Sequence, residues 1–206
     1  MSEPSDRLIA AEIRAELDGC RIGNEIVVVE EAGSTNDLAW EAAGHGAAQG
    51  FVVFAERQTK GRGQYGRRWD SAPYHGLWLS ILLKPALTLL ESPRLTSLLA
   101  EVVAAAIAEE TGSALTIKAP NDIFMAGRKV GGVLVEGRTT SNGSYLAVAG
   151  IGINVNQTID DFPEELRGTA GSLAMVSGRK ISRTKLAIAL LRRLEDVAQA
   201  SCLWGR

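Results

Sequence analysis

The chain has 206 residues, 46% of them hydrophobic, and a formal net charge of −2; this supports one substantial core in one domain and argues against a general nucleic-acid-binding surface, since such domains are usually basic. Its two cysteines, Cys20 and Cys202, lie at opposite ends and match neither a metal spacing nor a disulfide framework, which fits a reducing, cytoplasmic setting. The N-terminal stretch alternates charged and apolar residues without the make-up of a signal peptide, and no run of about eighteen apolar residues marks a membrane span.

Residues 6–18 place Leu8, Ile9, Ile13 and Leu17 near one helical face, with Asp6 as N-cap and Gly19 as stop. Residues 25–30 read as a β-branched strand. A helix opens at Ser34-Thr35-Asn36-Asp37, whose side chains all suit a cap, and runs to about Gly44. Residues 51–56 form a short apolar strand, and 77–83 the next, bounded by Pro85. An Ala/Leu/Val-rich helix spans 93–110 and is closed by Gly112. A strand at 115–118 runs into Ala119-Pro120-Asn121-Asp122; proline disfavours helix in the residue before it, so Lys118 and Ala119 are extended. Residues 123–125 and 129–135 form a hairpin around Ala126-Gly127-Arg128, and 145–154 is a further strand. A short helix is expected at 172–176 and an amphipathic one at 183–200. Hairpin-spaced strands interrupted by long helices predict a mixed sheet with helices packed on it, an α/β or α+β domain.

One loop is chemically distinctive: Gly61-Arg62-Gly63-Gln64-Tyr65-Gly66-Arg67-Arg68-Trp69, preceded by Lys60. Glycine lets a backbone turn tightly and approach a ligand, and the arginine fork suits phosphate or carboxylate. On a net-acidic chain this points to a local anion site, a nucleotide phosphate in particular. The spacing of Gly61, Gly63 and Gly66 copies the dinucleotide fingerprint, but Trp69-Asp70-Ser71-Ala72-Pro73 is loop composition where a helix should begin. Gly61 and Gly66 also copy P-loop spacing, but Arg67-Arg68 replace the Lys-Ser/Thr pair. Charged, glycine-rich segments sit at the low-stability end of a fold, so residues 61–70 should be mobile without ligand.

Four separated segments, taken together, resemble the catalytic domain of the biotin protein ligases. They are Ser34-Thr35-Asn36; Gln58 with Gly61 to Trp69; Lys118-Ala119-Pro120-Asn121-Asp122, continued by Lys129-Val130-Gly131-Gly132-Val133-Leu134-Val135-Glu136; and Gly150 to Asn154. The resemblance implies an α+β fold, a mixed β-sheet flanked by helices as in the class II aminoacyl-tRNA synthetases, filling residues 1–206 as one domain. It departs from the family at Gln64, where arginine is common and helps retain the reactive adenylate, and at Ala119, where tryptophan is usual. The family's small SH3-like C-terminal domain is expected to be absent. So is the helix-turn-helix domain of some members, since thirty-three residues precede Ser34; DNA binding is accordingly not expected.

The resemblance implies a two-step reaction. ATP activates biotin to biotinyl-5′-AMP, and a lysine of a biotin carboxyl carrier protein then takes the biotin. Bringing two anions together calls for fixed cations and donors more than for a nucleophile. Lys118, at a strand end, is the first choice to bridge the biotin carboxylate and the α-phosphate, with Arg62 as second cation. Ser34, Thr35, Asn36 and Gln58 suit the neutral ureido head of biotin, although the first three equally suit helix capping. Gly63 and Gln64 would meet biotin through their backbone, and Gly131 and Gly132 permit close approach within a strand. Arg67, Trp69, Asn121 and Asn154 are assigned to ATP or the adenylate; turn roles for Asn121 and Asn154, and a core role for Trp69, stand beside this. No metal-ligand set is visible, and Asp122 is at most a contributor beside the magnesium that accompanies ATP. A membrane partner is not expected, and a homodimer is left open. Two other readings remain: a lipoate or octanoate ligase or transferase of the same fold, or a biotin-binding protein without transfer activity.

Overall fold

The computed structural model describes residues 6–140 and 143–201. Seven strands form one sheet: β1 (Ile26–Ala32), β2 (Val52–Gln58), β3 (Gly76–Leu83), β4 (Leu115–Lys118), β5 (Asp122–Met125), β6 (Arg128–Thr139) and β7 (Tyr145–Asn154). Their order is β1-β2-β3-β7-β6-β5-β4. β1 and β2 run parallel, joined through helix α2 (Thr35–Gly44), and every other named pair is antiparallel. This is the mixed sheet that the element pattern predicts.

Strand alternation gives the sheet two unlike faces. On one, Leu77, Leu79, Ile81 and Leu83 of β3 join Ala147, Ala149, Ile151 and Ile153 of β7 in the main core. Helices α3 (Ser92–Thr111) and α5 (Arg183–Ser201) close over them. α3 buries Leu95, Leu99, Val102, Val103, Ala106 and Ile107, an apolar stripe at helical spacing. On the other face, Leu82 and Val148 pack with Phe51, Val53 and Ala39 of α2. α2 lies against β2, β3 and β7, so it leaves the β6–β5–β4 side of that face to the loops. α4 (Leu173–Ser177) is a single short turn, and none of the described helices is long and apolar enough to cross a membrane.

The first helix, α1 (Ala10–Ala15), is shorter than the periodicity of residues 6–18 predicts, and no side chain caps it at Ile9. The reason lies at the far end of the chain. Arg183, fully buried at the start of α5, holds Glu56 at 2.5 Å and donates to the Gly76 carbonyl at 3.1 Å. It also donates to the Asp6 carbonyl, and its Nε lies 3.6 Å from the Asp6 carboxylate. The backbone N–H of Leu8 donates to Glu56 at 2.8 Å. Asp6 therefore serves a buried ion network and not a helix cap.

Candidate active site

Directly paired residues share a face, so the register draws rows across the sheet. On the α2 face one row runs Lys118, Asp122, Gly132, Gly152, Trp78, Ala55. The next runs Leu134, Gly150, Ser80, Val53, and a third Glu136, Val148, Leu82. Gly132, Gly150 and Gly152 thus leave a floor without side chains in the middle of the sheet. Two side chains rest on it. A Cβ at Gly152 would meet the Trp69 ring at 2.7 Å, and one at Gly150 would meet Asn36 Oδ1 at 2.4 Å. Trp69 also stands edge-on to Trp78, with ring centroids 6.2 Å apart.

At the head of the floor, Ser34 caps α2 by accepting from the Asn36 N–H at 3.3 Å, as helix capping predicts. Ser34 is itself buried, and its neighbours reach toward the sheet. Thr35 and Asn36 are buried. Gln58 Oε1 accepts from the Thr35 N–H at 2.8 Å and from its hydroxyl at 3.1 Å, while Gln58 Nε2 donates to Ser71 at 3.3 Å. Ser80 Oγ lies 2.7 Å from Thr35 Oγ1 and 2.6 Å from Asn36 Oδ1. Ser80 donates to the Asn36 carbonyl oxygen, and Asn36 Nδ2 is left buried without a partner. Trp69 Nε1 and Trp78 Nε1 are buried donors in the same condition. Buried polar groups are rarely left so in native proteins, and three of them gather here.

The loop of residues 61–69 folds back on itself. Arg62 bridges to Arg68, the Gly63 N–H donates to the Arg67 carbonyl at 2.7 Å, and the Trp69 N–H donates to the Gly61 carbonyl at 2.9 Å. Its tip is a 3₁₀ turn with Tyr65 at φ 59°, almost fully exposed, and Gly66 at φ 71°. Gly61 is needed because a Cβ there would lie 2.5 Å from the Trp69 carbonyl; Gly63 has nothing closer than 3.6 Å. Arg62 is tied down by two carboxylates: Asp37 at 2.8 and 2.9 Å, and Glu136 at 3.2 to 3.4 Å. The Arg62 hydrogen bonds hold the Asp37 carboxyl below the usual carboxylate range, and Asp37 in turn raises the Arg62 guanidinium. Gln64 is half-buried, whereas Arg67 is exposed and makes no ion pair among the described residues.

The remaining predicted residues sit further out. Lys118 is exposed at the end of edge strand β4. Asn121 clasps β6, donating to the Val133 carbonyl at 3.0 Å and accepting from its N–H at 3.1 Å. Asn154 is buried, donating to the Gly171 carbonyl at 3.0 Å. Each side chain ties backbone 12 or 17 residues further along the chain, so neither makes a local turn bond. Gly131 opens toward Ile123 on the helix-covered face, so its missing side chain does not widen the floor. Sequence reasoning does not single out Lys129: its Nζ lies 5.4 Å from the Trp69 ring centroid and 2.6 Å from Asp122. Ser80 is likewise unmarked in the sequence, where Asp37, Glu136, Gly150 and Gly152 stand only as a cap or within motifs. The two-residue spacing of Gly150 and Gly152 on a strand is the signal that could have found the floor.

A model of the biotin/lipoate A/B protein ligase family matches residues 28–156. The chain belongs to this family. Within it, the chain is 40% identical over 177 residues to the bifunctional ligase/repressor BirA of Bacillus spizizenii, covering 86% of this chain and 54% of that protein. It is 34% identical over 193 residues to the biotin–[acetyl-CoA-carboxylase] ligase of Mycobacterium tuberculosis, covering 89% and 68%. The biotin protein ligase of Aquifex aeolicus, solved in complex with biotin and ATP, superposes with a TM-score of 0.72 at 32% identity, over 85% of this chain and 71% of that one. The Leishmania major biotin protein ligase with biotinyl-5-AMP gives 0.67 at 27% identity, over 89% and 77%. The chain spans about half the length of the Bacillus relatives it matches.

Proposed function

We propose that the chain is the catalytic domain of a biotin protein ligase, which activates biotin with ATP to biotinyl-5′-AMP and passes biotin to a lysine of a biotin carboxyl carrier protein. The observation that carries this reading is the neutral cluster of Thr35, Asn36, Gln58 and Ser80 at the head of a glycine floor, with Asn36 Nδ2 buried and unpartnered. A ureido ring offers an acceptor and two donors to such a cluster. The dithiolane of lipoate and the alkyl chain of octanoate offer neither, and would leave buried polar groups unpaired at about 1–3 kcal/mol each. The relatives solved with biotin and ATP, or with biotinyl-5-AMP, support the same choice.

In the first step a biotin carboxylate oxygen attacks the α-phosphorus, a P–O bond breaks, and pyrophosphate leaves. In the second, the acceptor amine attacks the anhydride carbonyl and AMP leaves. The protein must offset repulsion between two anions, which a fixed cation at the point of attack does best. We assign this to Lys129 ahead of Lys118. Lys129 stands beside the floor, steered by Asp122 at 2.6 Å and by the Trp69 ring. Lys118 is exposed in the same row, two strands from Gly132, or roughly 10 Å by strand spacing, and serves as a second, screened cation. Among the described residues no three metal-binding side chains cluster. Magnesium usually takes one or two carboxylates beside substrate phosphates and water; Asp122 fits as that one carboxylate, and the ion would neutralise triphosphate charge. Calorimetric titration tests the reading: biotin should bind tightly, and lipoate and octanoate at least about a hundredfold more weakly. Equal binding of the three would refute it.

A further inference from the structure

We propose that Asp37 and Glu136 are positioning residues that latch the 61–69 loop over the site, with Arg62 as the bolt. The effect on ligand rests on the function proposed above; the latch itself does not. A guanidinium has five N–H donors. Here Nε donates to Glu136, Nη1 to Asp37, and Nη2 to both, so one N–H is left. An arginine so committed acts by holding the loop and is not a free anion-binding cation. The two carboxylates stand on different elements, Asp37 in the first turn of α2 and Glu136 on β6. Glu136 is itself steadied by the Trp40 indole N–H at 3.1 Å, and the Arg138 guanidinium lies 4.2 Å from that ring.

The latch joins the two halves of the site. Asp37 follows Asn36, so the turn that gripping Arg62 stabilises is the turn that presents the head-group cluster. At the other end of the loop Trp69 covers Gly152 and Gly132, and the Trp69 N–H is bonded to Gly61 beside Arg62. Releasing Arg62 therefore loosens the loop that carries this cover, leaving Trp69 held by Gly61, Trp78 and Lys129. The pairs are partly exposed, so salt weakens them.

The test is limited trypsin digestion of the ligand-free protein, following cleavage after Arg67 and Arg68, which are exposed just past the loop tip. Protease attack on a transiently open segment tracks the open population. The double variant Asp37→Asn, Glu136→Gln should be cut at these bonds about tenfold faster, the order expected for losing a bidentate charge pair. Raising salt should speed cleavage of the wild type more than that of the double variant, which keeps the exposed Arg68–Asp70 pair. Asp37→Asn alone, at a mostly exposed side chain, should give an intermediate rate and keeps the test valid if Glu136→Gln disturbs β6. Equal cleavage of wild type and Asp37→Asn, or equal salt response, would overturn the latch. With biotin and ATP bound, release of the adenylate should quicken across the variants in step with the cleavage rates; quicker release without quicker cleavage would also overturn it. If the wild type forms no adenylate, the function reading fails, and the cleavage data still decide the latch.

Discussion

Gly150→Ala puts the glycine floor to a sharp test. The added methyl would lie 2.4 Å from Asn36 Oδ1 and 3.1 Å from its Cγ, well inside van der Waals contact. Asn36 cannot simply swing aside, because it is buried and Ser80 holds Oδ1 at 2.6 Å. Either the amide rotates and its oxygen loses that bond, at about 1–3 kcal/mol, or α2 shifts on the sheet at a similar overpacking cost. The cheaper route costs about 2 kcal/mol, which lowers Tm by about 4–8 °C for a domain of this size. Biotin affinity should fall at least about tenfold with it, since misplacing one buried donor is worth about 1.4 kcal/mol or more. The control is Gly63→Ala, whose nearest neighbour is 3.6 Å away and whose Tm should stay within about 1 °C. Calorimetry on both variants reads the two quantities. A Gly150→Ala protein with unchanged Tm and unchanged biotin affinity would show that Asn36 does not rest on the floor.

Three further outcomes are expected. Lys129→Met should slow adenylate formation by about 10²–10³, the cost of removing a preorganised donor, while Lys118→Met, exposed and screened, should slow it about tenfold or less; single-turnover kinetics with the order reversed would return the first place to Lys118. Glu56→Gln should cost about 3 kcal/mol in urea unfolding by removing the buried partner of Arg183 and leaving it only the Asp6 carboxylate at 3.6 Å, whereas Arg57→Gln, which breaks an exposed pair with Glu31, should cost under about 1 kcal/mol. Because Arg62 lowers the folded-state pKa of Asp37, the stability from this pair is present above the ordinary carboxylate range and is lost as pH falls through the lowered value. A ¹³C titration of the Asp37 carboxyl should therefore show a midpoint that moves up toward the usual range in Arg62→Met, and an unmoved midpoint would contradict the coupling.

Much of the fold is legible because periodicity reports it directly. The long helix at α3 follows from its apolar stripe and from Gly112, which closes it in the left-handed region at φ 69°. The loop motif, Ser34-Thr35-Asn36 and Gln58 are legible because glycine and small polar residues leave a chemical trace in the sequence, and the fold brings Thr35, Asn36 and Gln58 together at the head of the floor. What is not legible depends on long-range pairing. Arg62 meets Asp37 and Glu136 across 25 and 74 residues, so its guanidinium reads as free until the register is known. Lys118 ends a strand, and only the register shows that this strand is the sheet's edge. Asp6 has the residue type of a cap, and Arg183, 177 residues away, takes it instead. Asn121 and Asn154 show the ambiguity of their type: both suit ligand contact or a turn, and both donate their side chains to backbone 12 and 17 residues away.

Coupling of biotin to ATP at this site can be measured directly. Exchange of labelled pyrophosphate into ATP reads the first step alone, without an acceptor protein. Exchange should depend on biotin, find no support from lipoate or octanoate, and slow by about 10²–10³ in Lys129→Met. Exchange driven by lipoate or octanoate and not by biotin would contradict that coupling, as would biotin binding with no exchange at all.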